Sequence, residues 1–110
     1  MTSPQAAKGA RAERELASLL SDQLGVVVQR RRNLGTHEDI GDLIVPGWTV
    51  EVKNYADLAT GINVGLKDLE REQANAGTTF GVCFVRRRGG RWIAVMDLPQ
   101  IATVIRETLP

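Results

Sequence analysis

The segment from Asp42 to Lys53 constrains the fold of this chain more than any other. Asp42-Leu43-Ile44-Val45 and Thr49-Val50-Glu51-Val52-Lys53 are short runs rich in β-branched residues, and Pro46-Gly47-Trp48 between them supplies the backbone angles of a turn. The spacing predicts a β-hairpin. Along its second strand, alternation sets Glu51 and Lys53 on one face while Val50 and Val52 point the other way, into an apolar layer. The hairpin partner brings Asp42 beside Glu51.

The flanking sequence supplies the rest of a sheet and its helices. Ala12, Leu16, Leu19, Leu20 and Leu24 recur at three- and four-residue spacing, which predicts a helix over 5–24, with Ser3 before Pro4 as its cap and Gly25 as its stop. Val26 to Arg31 reads as a strand and Asn33 to Asp39 as a polar loop. A loop is expected over 54–62, then a helix over 63–76 with Val64, Leu66, Leu69 and Gln73 or Ala74 facing inward, closed by Gly77. Thr79 to Arg86 and Arg91 to Met96 read as strands joined at Gly89-Gly90, and Asp97-Leu98-Pro99 starts a short C-terminal helix. The order α, β, β, β, α, β, β, α argues for an α/β fold with one mixed central β-sheet flanked by helices.

At 110 residues, 43% apolar and 25% charged, the chain has the make-up of one globular domain spanning 1–110. No run approaches the ~18 apolar residues of a membrane helix, and Met1 to Gln5 lacks the apolar centre of a signal peptide, so the expected location is cytoplasmic. The single cysteine, Cys83, lies in the run Phe80-Gly81-Val82-Cys83-Phe84-Val85 and is expected to be a buried structural thiol.

Asp42 and Glu51 are two hard oxygen donors within reach of one divalent cation, the donor type that Mg²⁺ prefers. Phosphodiester hydrolysis uses such an arrangement, with Lys53 able to orient a water or stabilise charge growing in the transition state. By itself the tripeptide Glu51-Val52-Lys53 is an ordinary ion pair on a solvated strand face. Asp42 at the head of an apolar strand tilts the reading toward a ligand pair. Asp39 is the competing ligand, set in the polar loop. Glu13 falls within the apolar stripe of the first helix, so it pairs with an arginine such as Arg31 or serves as an outer metal ligand through water. Glu15, one step round, is expected to face solvent.

Net charge is only +1, but eleven of the fourteen cations are arginine, with triplets at Arg30-Arg31-Arg32 and Arg86-Arg87-Arg88 and a further Arg91. Guanidinium groups suit bidentate phosphate contact, and Arg30, Arg31 and Arg32 flank the candidate site as DNA-backbone contacts. The second cluster reads equally as a soluble charged loop tip. His37 is expected at the surface without a catalytic role. Trp48, Trp92 and Tyr55 are too scattered for a base-stacking platform, and packing is the expected role of both tryptophans.

Taken together, Lys8-Gly9-Ala10-Arg11-Ala12-Glu13-Arg14-Glu15-Leu16, Gly41-Asp42-Leu43 and Glu51-Val52-Lys53 resemble the archaeal-type and phage Holliday junction resolvases of the PD-(D/E)xK nuclease superfamily. The run Glu72-Gln73-Ala74-Asn75-Ala76-Gly77, followed by a strand and Arg86-Arg87-Arg88-Gly89, is similar to the phage members. The resemblance implies a restriction-endonuclease-like core and a homodimer that binds branched DNA, the four-way junction, by shape. It also implies paired nicks made with Mg²⁺, for which Mn²⁺ can substitute. Carried over by position, Glu13, Asp42, Glu51 and Lys53 are the catalytic set, and Lys8, Arg11 and the loop containing Thr36 lie near the DNA. On this scheme Asp42, Glu51 and the Val52 carbonyl hold the metal, and Glu13 positions a further water. The chain departs from the archaeal pattern between Gly35 and Asp42, where Glu38 and Asp39 replace a shorter, more basic stretch. The resemblance also points to a phage or prokaryotic source.

Two other functions fit the same residues. One keeps the chemistry on linear, flapped or mismatched duplex, as in a restriction-like or repair nuclease; the other is a junction-binding module that cuts nothing. No added recognition element is visible for reading base edges, which favours recognition by shape.

Overall fold

A computed structural model describes residues 3–31 and 39–110. Three helices and five strands run α1 (Pro4–Leu24), β1 (Gln29–Arg30), β2 (Leu43–Val45), β3 (Trp48–Lys53), α2 (Leu58–Ala76), β4 (Phe80–Arg87), β5 (Arg91–Val95) and α3 (Leu98–Thr108). The strands form one open mixed sheet in the order β1-β2-β3-β4-β5. Among the described strands only β3 and β4 are parallel, and α2 is the crossover between them.

Local chemistry sets the helix ends. The Ser3 hydroxyl accepts from the Ala6 N–H at 3.1 Å, Pro4 opens α1 where no N–H partner is needed, and Gly25 closes it at φ 72°. Ser21 then ties the helix end to the sheet: its hydroxyl donates to the Ala17 carbonyl and accepts from the Val28 N–H at 2.8 Å. Asp57 caps α2 through the Thr60 N–H, so that helix starts at Leu58, five residues before the expected Asn63. β1 is shorter than expected, because Val26 and Val27 stay exposed and only Val28 turns inward.

Two apolar layers hold the sheet. On one face, Ala12, Leu16 and Ala17 of α1 pack on Val28, Leu43, Val50, Val52 and Val82. On the other, Leu69 of α2 packs on Cys83 and Val85. Each fully buried Val or Leu contributes roughly 1.5–3 kcal/mol to this assembly. Cys83 is fully buried, as expected. Leu19 and Leu24, expected in the apolar stripe, are exposed, so α1 presents a narrower face than its leucines suggest. The inward face of α2 is Gly61, Gly65, Leu69 and Glu72; Val64 and Leu66 flank it, half-buried.

The Trp48 and Phe80 rings stack at 5.0 Å across β3 and β4, and Trp92 packs against the α1-side core. No helix among the described residues is long and apolar enough to cross a membrane.

Candidate active site

Sheet register places the site. β2 pairs with β3 so that Leu43 faces Val50, and one step further along the ladder Asp42 stands across from Glu51, with the Asp42 N–H donating to the Val50 carbonyl at 2.7 Å. Gly41 makes this approach possible. Its φ is +108°, and a Cβ there would sit 3.0 Å from the Val50 oxygen. Leu43, Val50 and Val52 belong to the α1-side core, so Glu51 and Lys53 project to the α2 side, and Asp42 does likewise from the neighbouring strand.

The Asp42 and Glu51 carboxylates converge on one donor. The Val52 N–H donates to Asp42 Oδ2 at 2.8 Å and to Glu51 Oε1 at 3.2 Å. Burial pushes Asp42 up to about 8, and contact with Glu51 adds to the rise. Burial also pushes Glu51 up to about 8, with Glu72 adding to it. The two acids therefore crowd each other, and the Lys53 ammonium is 3.9 Å from Glu51 Oε2. Lys53 is bound more closely by Asp68 of α2, whose Oδ2 is 2.7 Å from Nζ. Burial opposes the charge on Lys53, but the Asp68 bond and Glu51 outweigh it and raise its pKa.

Glu72, also on α2, is 1% exposed and contacts Glu51, and its Oε1 has no hydrogen-bond partner among the described residues. Burial pushes it up to about 7. Neither Asp68 nor Glu72 was assigned a role at the site from the sequence. Their signal was the Gly61, Gly65, Leu69 spacing, which marks the helix face that meets the sheet and sets Asp68 and Glu72 beside it.

Glu13 lines the same cleft from α1 and is half-buried, but its ion pair is with Arg30 at 3.1 Å, not with Arg31. Register explains the difference. Arg30 pairs with Leu43 and so shares the α1 face, whereas Arg31 continues the ladder to Asp42, its N–H donating to the Asp42 carbonyl at 2.8 Å. The Arg31 Nε is buried without a partner among the described residues. Burial and Asp42 raise the Glu13 pKa against the pull of Arg30. Glu15 does not face solvent freely: it accepts from Arg86 Nε at 2.7 Å and from the Trp92 indole at 2.9 Å, and the Arg86 bond lowers its pKa. Asp39 lies at the cleft edge, 3.6 Å from Arg71.

Glu13, Asp39, Asp42, Glu51, Lys53 and Asp68 border a cleft of about 640 Å³ at the carboxyl end of β3, walled by the start of α1 at Lys8 and the start of α2 at Asp57 and Thr60. A second cleft, of about 380 Å³, shares Lys8 and Asn54 with the first and continues to Arg11 and Arg86. Arg32 and Thr36, expected near DNA, lie outside the described residues, as do His37 and Glu38.

Among the described residues, no three His, Cys, Asp or Glu side chains stand together as a metal cluster. The donor set is instead a pair, Asp42 and Glu51. Mg²⁺ is commonly held by one or two carboxylates, with water and substrate phosphate filling the rest of its shell. Two crowded acids that share one amide, with no cation closer than 3.9 Å among the described residues, fit such an ion. Comparison of the chain with family models, curated proteins and solved structures finds no match.

Proposed function

We propose that the chain is a divalent-metal-dependent endonuclease of the PD-(D/E)xK type that cuts branched DNA. The observation that carries this reading is the placement of Asp42 across from Glu51 on the shared Val52 amide, with Lys53 two residues on and projecting to the same side of the sheet. A restriction-endonuclease-like core accounts for the order α1-β1-β2-β3-α2-β4 and for the single parallel pair at β3 and β4.

In this reading Asp42 and Glu51, with the Val52 carbonyl, hold Mg²⁺, and Mn²⁺ substitutes. The bound cation supplies Lewis acidity to the scissile phosphate and acidifies a water. Lys53 donates from its ammonium to the attacking water or to the phosphoryl oxygens as charge builds on them. Glu13, at the α1 side of the cleft, orients a further water. Lys8, Arg11, Arg30 and Arg31 meet the DNA backbone, where arginine and lysine position the duplex without reading its sequence. The resolvase resemblance directs the substrate to the four-way junction, and two symmetric nicks require two sites, hence a homodimer.

The test is cleavage of an end-labelled four-way junction beside a linear duplex of the same sequence, with Mg²⁺ or EDTA. Symmetric, Mg²⁺-dependent nicks in the junction alone are expected. Cutting of both substrates would replace the junction with duplex DNA generally, and tight binding with no cutting would leave a non-cutting module. The D42N variant is expected to lose cleavage and keep or tighten junction binding, because it removes ligand charge without changing shape; retained cleavage would overturn the role of Asp42.

A further inference from the structure

The Lys53 ammonium is held by α2, the helix packed on its own face of the sheet. Its Nζ stands 2.7 Å from Asp68 Oδ2 and 3.9 Å from Glu51 Oε2, so Asp68 of α2, not the adjacent strand carboxylate, is the group that fixes it. Asp68 is itself braced, its other oxygen accepting from Arg71 Nη1 at 3.3 Å. A lysine stem has four rotatable bonds, and without such an anchor its charge would spread over several positions.

Close packing of α2 on the sheet makes the bond reachable. Gly65, one turn before Leu69, faces Cys83 and Lys53: a Cβ there would collide with the Cys83 sulfur and lie 3.2 Å from Lys53 Cγ. The missing side chain leaves the groove along which the lysine stem runs, and Asp68, three residues on, meets its end. The pair is sheltered, with side-chain exposures of 16% for Lys53 and 23% for Asp68, unlike a solvated surface ion pair. Asp68 also borders the cleft that holds Asp42 and Glu51.

We propose that Asp68 is a positioning residue that acts on hydrolysis through Lys53, holding the ammonium at one point of the cleft beside the reacting phosphate. This rests on the nuclease reading above. Asp68 neither touches the substrate nor holds the cation; it removes the conformational search of Lys53 before the reaction. The alternative is an ion pair that serves folding alone, and it differs in one respect: its loss would lower stability but leave the cleavage rate of the folded protein unchanged.

The experiment follows single-turnover cleavage of the four-way junction by the full chain with Mg²⁺, comparing wild type, D68A, D68N, K53Q and the double variant K53Q/D68A. The cleavage rate constant of D68A is expected to fall about 10- to 100-fold, the scale set by a misplaced catalytic group. Junction Kd should stay within about twofold, since phosphate contacts elsewhere dominate affinity. D68N, whose amide oxygen still accepts a hydrogen bond, should recover part of the rate, and D68A should cause no further loss in the K53Q background. A wild-type rate in D68A, or an equal loss with and without Lys53, would overturn the proposal. Nitrogen-15 NMR gives a readout free of catalysis: a protected Lys53 ammonium resonance is expected in wild type and lost in D68A. Its survival in D68A would overturn the tether. A wild type that cuts no DNA would overturn the nuclease reading, while the resonance would still decide the tether.

Discussion

Sharing of the Val52 N–H by Asp42 and Glu51 gives the site its character at the scale of single residues, because it fixes two carboxylates side by side. Calorimetry of the DNA-free protein should therefore detect Mg²⁺ binding that disappears in D42N; unchanged binding in D42N would remove Asp42 from the donor set. Cys83 illustrates the opposite role. It is fully buried, and burial pushes its thiol up to about 12, so it carries almost no thiolate at pH 8. Against an unfolded thiol near 8.5, the native protein should react with a disulfide reagent roughly a thousandfold more slowly. Rapid labelling of the folded protein would contradict that burial. Asp42, Glu51 and Lys53 were legible in the sequence because strand alternation and hairpin pairing are short-range rules. Glu72 was missed: the Gly61, Gly65, Leu69 spacing marks the face of α2 that meets the sheet, but the contact of Glu72 with Glu51 depends on how α2 lands on β3.

Among the elements, α2 does most to shape the site, and its approach to the sheet depends on small residues. Gly61 lies where a Cβ would be 3.1 Å from Val85, and Gly65 where one would strike Cys83. Gly65→Ala is expected to destabilise the protein by about 1–3 kcal/mol, the usual cost of overpacking a filled core. It should also slow cleavage by pushing α2 and Asp68 away from Lys53. Chemical denaturation together with the cleavage rate checks both effects, and a variant of wild-type stability and rate would show that the helix has room to move. The start of α2 was readable in principle from Asp57 and Thr60, whose side chains close the first turn, but the run after it opens with small and polar residues that look like loop. Val26 and Val27 misled in the other direction. Their β-branched chains favour a strand, yet pairing with β2 starts only at Gln29.

At the scale of the whole molecule, the face of the sheet under α2 gathers three buried or half-buried acids, Asp42, Glu51 and Glu72. Asp42 and Glu51 near 8 and Glu72 near 7 all lie above the ordinary carboxylate range in the native state. A carboxyl whose native pKa is raised binds more protons folded than unfolded, so its stabilising contribution is complete below pH 4 and is lost as pH climbs toward 8. The site therefore favours folding at mildly acidic pH and opposes it at pH 8 to 9, where all three acids would ionise together. Metal-free protein should accordingly melt at a lower temperature at pH 8.5 than at pH 5.5, by roughly 4–8 °C for each kcal/mol lost in a domain near this size. A cation that binds only the native pair adds stability according to its concentration over Kd, and it competes with the protons that the acids hold at low pH. Mg²⁺ should thus raise Tm strongly at pH 8.5 and little at pH 5.5, and D42N should show a smaller fall with pH and a smaller Mg²⁺ response. Thermal melts over this pH range, with Mg²⁺ and with EDTA, decide the matter. A Mg²⁺ effect of equal size at both pH values, or one that survives in D42N, would place the cation elsewhere on the molecule.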